Sequence, residues 1–168
     1  MTVEVQVYPL EDDGSIPNNQ QLSVLVYEGA FKDNPDDIEA TFNKNNWRNS
    51  WVGGVHDYHH YHSNTHEVLG VQSGTAMIQI GGEEGKMVDV NAGDVLLLPA
   101  GTGHKNMKSS EDFRIVGAYP DGAEYNMRTG EPGERPNVLE EIWHVPIPDN
   151  DPVYGSEGPL LNHWSVGR

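Results

Sequence analysis

Apolar residues in this 168-residue chain come in short runs, and glycine or proline soon interrupts each of them. The longest, such as Val24 to Tyr27 and Val95 to Leu98, are far too short to span a bilayer. With 19 glycines and 11 prolines distributed as punctuation, the pattern predicts an all-β chain of short strands joined by turns. Residues 1–10 alternate, Val3, Val5 and Val7 against Glu4, Gln6 and Tyr8, as in a half-buried strand. Gln21 to Tyr27, Val68 to Gln72, Thr75 to Ile80, Lys86 to Val90, Val95 to Leu98 and Phe113 to Tyr119 are further strands. Gly81-Gly82-Glu83-Glu84-Gly85 is a hairpin loop, and Asn91-Ala92-Gly93-Asp94 is a turn.

Helical signals are few. Asn34-Pro35-Asp36-Asp37 predicts a helix start, with Asn34 as cap, Pro35 in the first turn and two aspartates at the positive end of the dipole. Ile38, Thr41 and Phe42 share its apolar face, and the helix should end before Trp47. Asn137 to Trp143 predicts one more short helix, capped by Asn137 with Glu140 three residues on. Seven of the prolines lie in residues 120–168, which otherwise read as an extended tail. Ile142, Trp143, Leu160 and Trp164 are too apolar for that tail to be free, so it should pack on the barrel or on a second subunit.

The length fits one domain with a core that needs no cross-links. There is no cysteine, which excludes disulfides, thiol nucleophiles and cysteine-held metals, so a metal must sit on nitrogen and oxygen. With 26 acidic against 10 basic residues the net charge is −16, which disfavours nucleic acid and anionic membranes as partners. The N-terminus MTVEVQVYPL lacks the order of a signal peptide, and a soluble cytoplasmic protein is expected.

Five of the eight histidines fall between His56 and His66. His60 and His62 are two apart, so on a strand both point to one face, roughly 7 Å apart at Cα, and two imidazoles at that separation can converge on one ion. Glu67 follows at the start of the next apolar run, and His104 stands downstream in Pro99-Ala100-Gly101-Thr102-Gly103-His104.

The segment GVHDYHHYHSNTHEVLGVQSG resembles the first motif of the cupin superfamily: Gly54, then His60 after five residues, His62 after one, Glu67 after four and Gly74 after six. GDVLLLPAGTGH resembles the second, with Gly93, Pro99, Gly101 and His104 at the family spacing. One position departs: the asparagine usual four places after that histidine is Lys108 here, although Asn106 lies nearby, and the position is not a metal ligand in the family. The chain as a whole, including the tail segment VPIPDNDPVYGSEGPL, is similar to the uncharacterised bacterial single-domain cupins of the YjlB-like group.

The resemblance implies a cupin double-stranded β-helix, a jelly-roll barrel with one or two short helices and an extended C-terminal tail. It would form a single domain with its barrel core at about residues 51–119, strands and a helix in residues 1–50 and the tail in residues 120–168. It also implies one divalent metal ion per chain, held by His60, His62, Glu67 and His104, and a small-molecule substrate or ligand. Three imidazoles and a carboxylate suit Fe, Mn, Ni, Co or Zn. Gly54, Gly74, Gly93 and Gly101 would permit the barrel's corners. A homodimer is expected, paired through the N-terminal strand or the apolar tail.

His66 competes with Glu67 for the ligand role. Neighbours on a strand face opposite ways, so only one of them can reach the ion, and the family position favours Glu67, with Leu69 and Val71 on its inward face. His56 and His59 are expected on the rim or exterior, and His144 and His163 in structural or surface roles. Candidate substrate contacts are Asn106, on the parity of His104; Arg114 and Tyr119, suited to a carboxylate or carbonyl; and Met77 or Ile78, according to register. Three functions stay open: a metal-dependent oxygenase, placed first; a redox-neutral isomerase, epimerase or lyase in which Glu67 or a pocket base moves a proton; and a non-catalytic binding or sensing module.

Overall fold

The computed structural model describes residues 4–164. Its strands are β1 (Glu4–Tyr8), β2 (Val24–Glu28), β3 (Trp47–Gly53), β4 (Glu67–Ser73), β5 (Thr75–Ile80), β6 (Lys86–Asn91), β7 (Val95–Leu98), β8 (His104–Ser109) and β9 (Arg114–Pro120). The helices are α1 (Ile38–Lys44), α2 (Asn137–His144) and α3 (Pro159–His163). Two antiparallel sheets result, one in the order β1-β2-β7-β4-β9-β3 and one in the order β6-β5-β8. This is the all-β arrangement that the short strands and turns predict.

The sheets differ in how much of them is covered. Val24, Val26, Leu69, Val71, Ile78, Ile80, Val88, Val90, Leu96, Leu98 and Ile115 pack together inside the barrel. The opposite face of the larger sheet carries a second cluster, in which Leu25, Tyr27, Val68, Val95 and Leu97 meet Ile38 and Phe42 of α1 and Leu160 and Trp164 of the C-terminal segment. A sheet buried on both faces needs unbroken apolar runs, which is why VLVY in β2 and VLLL in β7 do not alternate. In the smaller sheet β6 alternates, with only Val88 and Val90 buried. Gly70 marks the closest approach of α1: a Cβ there would lie 2.6 Å from Ile38 Cγ2 and 2.9 Å from Phe42 Cζ. Gly70→Ala is therefore expected to cost about 1–3 kcal/mol by overpacking, read from the urea midpoint.

Several expectations are corrected. Val7 is exposed although the alternation of β1 assigns it inward, because β1 is the sheet's edge and is covered only in part; Val3 lies outside the described residues. Strand β2 begins at Val24 rather than Gln21. Asn34 makes no side-chain cap; its amide bonds Asp37, and residues 35–37 form a 3-10 turn before α1. Asn137 is the first residue of α2, after Pro136, and likewise makes no cap bond. Gly74, Gly93 and Gly101 turn corners at φ of +77°, +99° and +91°, whereas Gly54 has neither a left-handed φ nor a close neighbour.

In the tail, the helix expected over Asn137 to Trp143 is α2, and the short helix α3 adds to it. Asp151, fully buried, accepts bonds from Tyr27 Oη at 2.5 Å and from the backbone N–H groups of Val153, Tyr154 and Leu160, which ties the segment to β2. Among the described residues no helix is long and apolar enough to cross a membrane.

Candidate metal centre

Glu67 opens β4 and His104 opens β8, so each side chain stands at the end of a strand, facing into the barrel. His60 and His62 do not sit in a regular strand. Their extended segment is pinned on one side by reciprocal backbone bonds between His60 and His104, and on the other by reciprocal bonds between Tyr61 and Arg128. That short ladder gives them the strand-like parity that two-residue spacing requires.

The four side chains are almost wholly buried, with His60 4%, His62 5%, Glu67 2% and His104 3% exposed. One potential ligand atom from each of the three histidines lies within 4.8 Å of the others. The Nδ1 atoms all face backbone carbonyls: His60 to Tyr58 O at 3.0 Å, His104 to Thr102 O at 3.0 Å and His62 to Asn126 O. A carbonyl can only accept, so each Nδ1 carries the proton and each Nε2 is left to face a ligand.

Glu67 Oε1 lies 3.3 Å from His62 Nε2 and 3.2 Å from His104 Nε2. Yet it makes no hydrogen bond of acceptable geometry with any described residue, although it is completely buried. A buried carboxylate oxygen left over among imidazole nitrogens is what a divalent cation satisfies, and the donor set of nitrogen and oxygen suits Fe, Mn, Ni, Co or Zn. The electrostatics run the same way. Burial pushes the Glu67 carboxyl up, but the adjacent His62 and His104 imidazoles outweigh it and hold the group below the usual carboxylate range. Burial, reinforced by His104, drives His60 down to about 3, which keeps that imidazole neutral and able to ligate. His62 is raised, since the Glu67 charge overcomes the opposing effect of burial.

Above this cluster lies a cavity of about 280 Å³ walled by Trp51, Val55, Leu69, Ile115, Tyr125 and Met127, with the exposed His56 at its rim. Tyr119 is buried on its wall and donates to Glu67 Oε2 at 2.6 Å. The other candidate contacts fall elsewhere. Asn106 pairs with Ile78 and keeps the inward parity, but its amide bonds Ser109 Oγ and it does not line the cavity. Met77 is 37% exposed on the outside of the barrel, and the register turns Ile78 inward in its place. Arg114 is exposed and bonds the carbonyl of Phe113.

His66 points to the opposite face from Glu67, where Nδ1 accepts from Ala100 N–H and Nε2 faces Pro146 O; both nitrogens are engaged away from the cluster. His144 and His163 are exposed on α2 and α3. Sequence reading missed Trp51, Tyr125 and Met127. Tyr125 stacks on Tyr119 at 4.5 Å and meets the edge of His62 at 5.2 Å. Its segment is held to Ser63 and Asn64 through Asn126: Asn64 Oδ1 accepts from Asn126 N–H, and Asn126 Oδ1 accepts from Ser63 N–H. Nothing local in residues 120–128 marks them as part of a pocket.

The family described as Cupin domain matches residues 49–117, which include all four clustered side chains. The uncharacterized protein YjlB of Bacillus subtilis is 46% identical over 164 residues, 98% of this chain and 99% of that protein. Solved structures of similar shape include a DUF861 family protein from Thermotoga maritima, with TM-score 0.36, 20% identity and coverage of 56% of this chain and 96% of that one. Another is an uncharacterized conserved protein with a double-stranded β-helix domain from Klebsiella pneumoniae, with TM-score 0.39, 17% identity and coverage of 77% and 84%. With the Cupin domain family matched across the strands that build the site, and with 46% identity along nearly its full length to the uncharacterized protein YjlB of Bacillus subtilis, this chain belongs to the cupin family.

Proposed function

We propose that this cupin binds one divalent metal ion through His60, His62, Glu67 and His104, and is a metal-dependent enzyme acting on a small molecule, an oxygenase ahead of an isomerase, epimerase or lyase. The observation that carries the reading is the convergence of three Nδ1-protonated imidazoles, two of which, His62 and His104, stand beside a buried Glu67 oxygen that has no hydrogen bond of its own. A bound ion would supply Lewis acidity and, for the redox-active metals, electron transfer.

The chain's own residues define the remainder. The cavity, about 280 Å³, sits just below the ~300–1,000 Å³ usual for ligand pockets, which supports a small substrate. No Lys, Arg or Asp is among the described residues that line it, so apart from the proposed ion a charged substrate meets no cationic side chain of Lys or Arg there. Trp51, Leu69 and Ile115 suit a compact apolar body and keep bulk water from the reacting centre. Apart from the four clustered residues, the ionisable groups of the lining are His56 at the rim and Tyr119 and Tyr125. That is a sparse set for proton shuttling, which supports an oxygenase over a redox-neutral enzyme.

Elemental analysis of protein purified without chelator or affinity nickel is the test. One iron, manganese, cobalt or nickel per chain, with oxygen uptake on addition of substrate, supports the reading. Tightly held zinc without oxygen uptake turns it to the redox-neutral class. A metal-free His60→Ala/His104→Ala protein that still binds small ligands points instead to a binding module. We further propose a cytoplasmic homodimer paired through the exposed edge of β1. A mass near twice 18.6 kDa by solution scattering is the expected result, and a monomer mass rejects it.

A further inference from the structure

The second oxygen of Glu67 is held by a chain of donors whose direction is compelled. Tyr119 Oη lies 2.6 Å from Glu67 Oε2, and Trp51 Nε1 lies 2.8 Å from Tyr119 Oη. An indole N–H can only donate and a phenol has one hydrogen, so Tyr119 accepts from Trp51 and gives its own proton to the carboxylate bond. Oε2 is thereby engaged, and Oε1 is the oxygen left facing His62 and His104 at 3.3 and 3.2 Å.

The indole's place is itself built into the sheet. Gly117 is the cross-strand partner of Trp51 between β9 and β3. A Cβ on it would come within 2.5 Å of Trp51 Cε2 and Cζ2 and 2.8 Å of Nε1, the edge that donates to Tyr119. On the other side, the Tyr119 ring is backed by the parallel ring of Tyr125.

We propose that Gly117, Trp51 and Tyr119 form a positioning line that makes Glu67 a one-oxygen ligand, Oε1 on the cation and Oε2 kept off it. The inference rests on the metal-centre reading given above. A carboxylate free to turn can chelate through both oxygens and fill a further coordination position; held by Tyr119, it leaves that position to substrate or water. None of the three residues is a ligand, and each acts through the next.

The test takes the full chain stripped with chelator and uses Co(II) as the probe, read by its visible absorption and by competition affinity. Wild type and Tyr119→Phe both take up one ion, because Phe keeps the ring on Tyr125. The variant binds about 10–100-fold more weakly, as expected when the partner of a ligating group is lost, and its spectrum changes. Trp51→Phe moves both readouts in the same direction. The Trp51→Phe/Tyr119→Phe double variant is no weaker than Tyr119→Phe alone, since the indole acts only through the phenol. Gly117→Ala, which displaces the indole and removes no polar group, reproduces the spectral change by a separate route.

Unchanged affinity and spectrum in Tyr119→Phe overturn the inference, as do additive losses in the double variant or a Gly117→Ala spectrum identical to wild type. A wild type that takes up no Co(II) overturns the metal-centre reading and this line with it. A wild type that binds Co(II) beside an indifferent Tyr119→Phe overturns the line alone.

Discussion

His104→Ala is expected to leave the chain folded and to lose stoichiometric metal binding. The backbone of His104 makes the bonds that pair it with His60, and those bonds survive truncation of the side chain, so the His60–His62 segment keeps its place. What disappears is one of three imidazoles and a neighbour of Glu67 Oε1. Loss of an outer partner of a ligand costs about 10–100-fold in affinity, so loss of a ligand should exceed about 100-fold. The consequence for stability follows by mass action. At an ion concentration of about 100 times the wild-type dissociation constant, binding stabilises wild type by about 2.7 kcal/mol; a variant binding 100-fold more weakly gains only about 0.4 kcal/mol. Thermal melts with and without added Co(II) or Mn(II) read this directly. Wild type should rise and His104→Ala should barely respond. A variant that responds like wild type would remove His104 from the centre.

Trp164→Ala carries the largest expected loss of stability. Its indole is fully buried against the outer face of the large sheet, donates to Ser23 O at 2.9 Å and packs on His66 with ring centroids 5.0 Å apart. Removing so large a buried side chain should cost about 3–5 kcal/mol by urea unfolding, with the slope unchanged. The five-residue α3 has no stability of its own, so its place depends on Leu160 and Trp164 being buried. Leu139→Ala, at an exposed position of α2, serves as the control and should change stability by less than about 0.5 kcal/mol. Equal losses in the two variants would mean that the C-terminal segment does not dock as described.

Sequence reading reached furthest where the rule is local. The β5–β6 hairpin closes over Gly81 to Gly85 as its turn residues require, and Gly74, Gly93 and Gly101 take left-handed conformations at corners. Helix α1 begins after the acidic first turn and buries Ile38 and Phe42. It reached least where a contact joins distant residues. Met77 and Ile78 could not be told apart by pattern, because the direction of β5 depends on its register with β6 and β8. Arg114 looked suited to a substrate carboxylate by residue type, yet it sits on the exposed side of β9.

By itself the sequence determined most of the strands, though not the bounds of β3 and β8, along with their turns and the spacing that brings His60, His62, Glu67 and His104 together. Period-two alternation, turn chemistry and fixed intervals act over a few residues and leave a mark in the text. Only the tertiary structure decided that Trp51 reaches Tyr119 across 68 positions, that Tyr125 lines the cavity, and that Trp164 closes the back of the sheet on Ser23 from 141 positions away. Those contacts are set by which faces remain to be covered once the barrel has closed, and no short stretch of chain carries that information.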